Sequence, residues 1–274
     1  MRDQKRPVTG AIAITVAAIV FLLPFAFVIV TAVKDRTEAS ELNFSLPSAT
    51  HLWENVWDVV TVREYMLPLA FLNSMILTVA SVTLLVVLGA MCGFVLQRRA
   101  WRGNGFVNFM VLTGLIMPPA IVPTIWVMQG IGLFKSLTGM VLIEVAYGLA
   151  FSVFLFRAFV ATIPKELDEA AIMDGAKPLG LFFRIILPLL RPVVVTNIVV
   201  QSVTIFNDFT YPLYYLPGKQ NVTVQLTLYN FQSQFQTQFN LLFMNILIIT
   251  IPPLIVFLFF NRQIVEGMAG AVKG

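Results

Sequence analysis

Charge is what this sequence lacks most. Only 12% of its 274 residues are Asp, Glu, Lys or Arg, against 58% hydrophobic residues. A soluble domain carries about 25% charged residues, so this chain has too few to cover a water-facing surface. Cysteine and histidine are nearly missing, with one of each, Cys92 and His51. A single cysteine excludes an intrachain disulfide and argues against a multi-thiolate metal site. Cys92 lies in an apolar run and reads as a small buried hydrophobe; His51, in a polar loop, reads as a solvated side chain. No metal site is expected. The Gly-x-x-x-x-Gly-Lys-Ser/Thr signature is absent, which excludes a P-loop nucleotide site on this chain. Nor is there a His-Glu-x-x-His, a Gly-x-Ser-x-Gly or a Cys/His cluster, so no enzyme constellation is in view. The net charge of +4 is dispersed between apolar blocks, unlike the basic stripe that nucleic acid requires.

Long hydrophobic runs are what the chain has instead. A hydrocarbon core about 30 Å thick needs roughly 20 apolar residues per helix. Six stretches qualify: residues 8–33, 66–96, 106–128, 140–160, 193–216 and 241–260. The first follows Arg2, Lys5 and Arg6, as a signal peptide would. Its apolar core is longer than the roughly 7–15 residues of a signal sequence, and no clear small-residue cleavage site follows, so it reads as a retained span. Thirteen of the eighteen Lys and Arg fall on one side if the N-terminus is inside. The positive-inside rule then puts both termini in the cytoplasm. The outer segment 34–65 holds six acids, as befits an exposed loop. Pro118, Pro119 and Pro123 in the third run, and Pro252 and Pro253 in the sixth, remove helix hydrogen bonds and are expected to bend those spans.

The longest inner segment, 161–192, lies between the fourth and fifth runs. Pro164 suits a helix start, and Glu166, Asp168 and Glu169 load acids where the helix dipole favours them. Gly175, with Pro178 three residues on, is a terminator. Leu167, Ala170, Ala171 and Asp174 are expected on one smooth face. By pattern alone this is either a solvated connector or a short helix able to enter another protein's groove.

Glu169-Ala170-Ala171, then Asp174-Gly175-Ala176, then Ile186-Leu187-Pro188 resembles the EAA loop of ABC-importer permeases. Asn73-Ser74, Met117-Pro118, Phe206-Asn207-Asp208-Phe209 and the glycine-rich tail 267–274 look like the carbohydrate branch of that family, with the six spans of its smaller, maltose-type permease. The resemblance implies an all-α type I importer permease, one transmembrane domain over residues 1–274, in a prokaryotic inner membrane. It implies a coupling helix docked on a cytoplasmic ATPase through Glu169, Ala170, Ala171, Asp174 and Gly175, with Leu187 and Pro188 completing the loop. The tail, with Gly270, Lys273 and Gly274, would reach that ATPase. Expected partners are a second permease, two ATPase copies and an extracytoplasmic solute-binding protein. ATP and magnesium would sit on the ATPase, leaving this chain without a cofactor. The Gln-rich outer segment 225–238 departs from any substrate signature and leaves the sugar unnamed.

Independently of family, Asn197, Gln201, Thr204, Asp208, Tyr211 and Tyr215 recur at steps of three and four and would share one face of a continuous fifth helix. A carboxylate at mid-bilayer costs on the order of 2.5–3.5 kcal/mol, so Asp208 needs a partner or water. The stripe, together with Asn207, is either a wall of the translocation path or interhelical glue; Glu144 in the fourth run poses the same alternative. A stand-alone secondary carrier or channel is the competing class. It would usually show internal repeats, none of which is convincing here, and it has no use for an ATPase-docking loop.

Overall fold

Apolar runs longer than a bilayer is thick become helices because only a helix satisfies its own backbone groups in hydrocarbon. In a computed structural model of the chain, the backbone is described for residues 5–232 and 237–272, and side chains for 10–232 and 237–260. The described residues are helical, apart from connecting loops and one isolated antiparallel bridge between Gln232 and Thr237. The helices are α1 (Lys5–Ala32), α2 (Arg36–Ser40), α3 (Leu52–Arg98), α4 (Asn104–Ile116), α5 (Ile121–Gly130), α6 (Leu137–Val160), α7 (Glu166–Met173), α8 (Pro178–Leu181), α9 (Leu187–Leu189), α10 (Arg191–Phe206), α11 (Thr210–Tyr215) and α12 (Phe239–Val272). A π turn at Phe182–Ile186 joins α8 to α9, and a 3-10 stretch covers Val224–Phe231. Among the described residues, four helices are long and apolar enough to cross a membrane: α1, α3, α6 and α12. Two bent pairs raise the number to six.

The bends carry the main departures from the sequence reading. The third run is bent far more sharply than a proline kink bends a span: α4 and α5 meet at 116°. Neither half is long enough alone, at about 1.5 Å per residue, to cross the core. Pro118 and Pro119 occupy the break, where two successive residues without N–H cannot continue the ladder. Pro123 causes no bend, because it sits in the first turn of α5, where a missing N–H is harmless. α12 runs on through Pro252 and Pro253. Within α3, Val62 is extended and Arg63, Glu64 and Tyr65 are left-handed (φ 50°, 62° and 61°). Residues 52–61 therefore form a helix separate from the second span, which starts at Met66 as expected.

Two compact units divide these elements, one comprising residues up to 69 with 226–251, the other 70–225 with residues from 252 onward. In the first, Lys34 is fully buried and its ammonium donates to the Asn43 carbonyl (3.0 Å), Asn43 Oδ1 (2.9 Å) and Ser45 Oγ (3.1 Å). That tethers the loop at residues 43–45 to the end of α1. His51 lies at the surface as expected and pairs with Glu54 (2.5 Å), whose carboxylate raises its pKa above the ordinary value.

In the second unit, α3 and α6 touch through small residues. A Cβ on Gly89 would lie 2.7 Å from Ser152 Cβ, and one on Gly93 would lie 2.8 Å from the Arg157 backbone N. Gly89-x-x-x-Gly93 is thus a small-xxx-small contact, which brings two backbones together where lipid gives no hydrophobic drive. Cys92, next to Gly93, points away from that seam and is exposed, not buried. Arg157 spans the same junction, donating to Gln97 Oε1 (3.2 Å) and to Asn108 Oδ1. Gly93→Val is expected to destabilise by about 1–3 kcal/mol through overpacking, lowering the thermal-unfolding midpoint of the detergent-solubilised protein. Cys92→Ser, one residue away, should leave that midpoint unchanged.

Candidate functional site

Segment 161–192 contains α7, whose register is set by two residues on one face, Asp168 and Ala171 at i,i+3 spacing. Ala171 is buried in a cluster with Ala90, Phe156, Val160, Ile163 and Phe182. Arg98, at the last turn of α3, places its guanidinium Nε 2.7 Å from Asp168 Oδ2. Its Nη2 donates to the Ile163 carbonyl at 2.8 Å. The two side chains are only 8% and 13% exposed. One guanidinium therefore holds together the end of α3, the end of α6 and the first turn of α7. Residues 98 and 168 lie too far apart in sequence for pattern reading to pair them.

The helix ends in a Schellman motif. Ala176 N–H donates to the Ala171 carbonyl and Gly175 N–H to the Ile172 carbonyl, both at 2.9 Å. Gly175 takes φ +81°, a conformation that costs other L-residues about 1–2 kcal/mol. The face expected to be uniform is divided: Ala171 turns into the bundle, while Glu166, Leu167, Glu169, Ala170 and Asp174 stay outside it, with Met173 87% exposed. Asp168 on the inward side is the reason. Leu187 and Pro188 follow the π turn, where Leu187 N–H reaches back to the Phe182 carbonyl; the widened turn admits a proline that cannot donate. A cleft of about 440 Å³ opens between α3 and α7, lined by Phe94, Arg98, Arg99, Lys165 and Glu169 among others. Of the tail residues, Gly270 lies within α12, while Lys273 and Gly274 lie outside the described residues.

The fifth span is broken where a continuous polar stripe was expected. α10 stops at Phe206, and Asn207–Phe209 are non-helical before α11. Asp208 is the cause: its Oδ1 accepts from Thr210 N–H (2.9 Å), and both its oxygens lie within reach of Tyr211 N–H. A side chain that caps the next helix competes with the preceding one. The six residues consequently separate. Asn197 and Gln201 are buried against α6, where Ser152 Oγ donates to Asn197 Oδ1 (3.1 Å) and Gln201 Nε2 reaches the Gly148 carbonyl and Ser152 Oγ, each at 3.3 Å. Tyr215 is buried, and Tyr211 stacks on Tyr147 with ring centroids 4.8 Å apart. Thr204 and Asn207 are exposed, and Asn207 Oδ1 accepts from Gln225 Nε2 at 3.1 Å. Glu144 is buried, with Oε1 lacking a hydrogen-bond partner, and its carboxyl approaches Asp208. Asn73 and Ser74 serve the packing of the fold. Asn73 donates to the carbonyls of Gln220 and Val222, and Ser74 Oγ accepts from Val224 N–H. They fasten segment 220–224 to α3.

The Arg98–Asp168 clamp is testable. Arg98→Ala or Asp168→Ala is expected to speed amide exchange across residues 166–173 at least tenfold, equivalent to about 1.4 kcal/mol. The double variant should exchange no faster than either single one. Additive effects would show that the pair does not hold α7.

The family described as "Binding-protein-dependent transport system inner membrane component" matches residues 85–269. Over 256 residues the chain is 30% identical to the probable ABC transporter permease protein YurM of Bacillus subtilis, covering 92% of this chain and 83% of the relative. It is 28% identical to the melibiose/raffinose/stachyose import permease protein MelC of the same organism, covering 94% of each. The crystal structure of a bacterial ABC transporter involved in the import of the acidic polysaccharide alginate aligns with a TM-score of 0.83 at 18% identity, covering 96% of this chain and 98% of that one. The fold is therefore shared at full length, and the family match spans the seam, the loop and the broken span described above. The chain belongs to the inner-membrane components of binding-protein-dependent transport systems.

Proposed function

We propose that this chain is the translocation subunit of an ATP-driven sugar importer, forming half of a transmembrane path beside a second permease. Two copies of a cytoplasmic ATPase would dock beneath, and an extracytoplasmic binding protein would deliver substrate. The observation that carries this reading is the geometry of α7: a short helix clamped to α3 and α6 on one side, with Glu169, Ala170 and Met173 free on the other. A solvated connector has no need of so firm a mounting. The sugar class is supported by relatives such as the melibiose permease and leaves the particular sugar open.

For α7 to meet a cytoplasmic ATPase, it must lie on the inner side, which agrees with thirteen of the eighteen basic residues and with both termini inside. Closure of the ATPase dimer on ATP would pull α7. Because Arg98 ties α7 to the ends of two long helices, the pull would reach α3 and α6 together and favour rigid-body rocking. ATP and magnesium would belong to the ATPase, and this chain would be non-catalytic. Among the polar residues of the fifth span, Thr204, Asn207 and Asp208 are the candidates to line the path, whereas Gln201, Tyr211 and Tyr215 contribute packing.

In proteoliposomes containing the whole transporter, Glu169→Lys and Gly175→Val are expected to abolish ATP-dependent sugar uptake while the chain still inserts. The valine must adopt a left-handed backbone at a cost of about 1–2 kcal/mol or more. Unimpaired uptake in both variants contradicts the coupling role of α7.

A further inference from the structure

The outer helix at residues 52–61 has three distinct faces. Asn55 (4% exposed) and Val59 (0%) are buried against the protein. About a third of a turn away lie Trp53, Val56, Trp57 and Val60, and a further third on lie Thr61, Glu54 and Asp58. The two tryptophans are 79% and 64% exposed. A helix whose apolar, polar and packed faces divide in this way fits a boundary between protein, lipid and water.

Its depth is set by hydrogen bonds. Asn55 Nδ2 donates to the carbonyls of Ala32 and Lys34, each at 2.9 Å. Asn55 Oδ1 accepts from Asn240 Nδ2 at 3.0 Å. Ala32 ends one apolar span and Asn240 lies at the start of another. The helix is therefore pinned at the level where two membrane helices leave the hydrocarbon, the level at which tryptophan is favoured. Residues 52–61 include two acids and no basic residue, so nothing in the helix attracts anionic headgroups.

We propose that residues 52–61 form an interfacial anchor, with the Trp53–Trp57 face seated in the uncharged outer headgroup layer of the bilayer. The lipid surface, rather than a protein partner, covers these indoles. The left-handed turn at Arg63–Tyr65 then redirects the chain from that layer into the second span. This inference rests on the membrane-spanning helices alone and is independent of the coupling role of α7.

The test uses the full chain in phosphatidylcholine nanodiscs carrying Trp101→Phe and Trp126→Phe, so that only Trp53 and Trp57 emit. Lipid brominated high on the acyl chain is expected to lower the emission about twofold, as for an indole buried about 5–10 Å into the interface. Bromine near the chain end should quench less, and acrylamide little. Full quenching by acrylamide with no response to bromolipid overturns the proposal. So does shielding that develops only when the solute-binding protein is added. If the double variant is poorly folded, 5-fluorotryptophan in the otherwise unchanged chain gives the same reading. Headgroup-spin-labelled lipid should broaden the Trp53 and Trp57 resonances, and broadening by a soluble gadolinium chelate instead overturns the anchor.

Discussion

Hydrocarbon offers a buried polar group no water, so a polar side chain or broken backbone in a span is stabilised by a partner within the protein. That constraint organises the second unit. Where α10 gives up its helix at Asn207, Asp208 supplies an acceptor to the N–H groups that begin α11. Where Gln201 and Asn197 enter the interior, they meet Ser152 and the Gly148 carbonyl on α6. These contacts require α6 to lie close, and closeness is a property of small residues: Gly89 and Gly93 allow α3 to approach Ser152 and Phe156 without an intervening side chain. The polar bonds and the glycine seam therefore support one another. Rigid helices meet at breaks whose backbone is satisfied locally.

The same seam leads on to α7. Ala90, between the two glycines, shares a buried cluster with Phe156, Val160 and Ala171, so the packing of α3 on α6 continues into α7. Arg98 closes that cluster from below. A force applied at Glu169 or Met173 would meet no loose joint before reaching the long helices. This continuity is the physical content of the coupling proposal, and it depends on a side chain from α3 that lies outside the EAA loop itself.

The features legible in the sequence were those written locally. Unbroken apolar runs gave α1, α6 and the second span to within a few residues, and the acids, Gly175 and Pro178 outlined α7. Features decided by competition between neighbours were harder to read. The stripe from Asn197 to Tyr215 has faultless helical spacing, yet Asp208 bonds forward to Thr210 and Tyr211 and ends the helix; an Asn-Asp pair in a span carries that cue. Pro118-Pro119 announced a bend but not one of 116°. Arg98 and Asp168 pair through the tertiary fold, which no local pattern encodes. Gly89-x-x-x-Gly93 is a local pattern that marks the seam and turns Cys92 away from it.

The central claim is that α7 is mounted for a protein partner that hydrolyses ATP. Its most direct test is to purify the chain in mild detergent from its native membrane and identify what accompanies it. The account predicts a second permease and an ATPase, both retained in the wild type, with the ATPase lost when Glu169→Lys and Ala170→Glu alter the exposed face of α7. Recovery of the chain alone, still moving solute across liposomes without ATP, would contradict it.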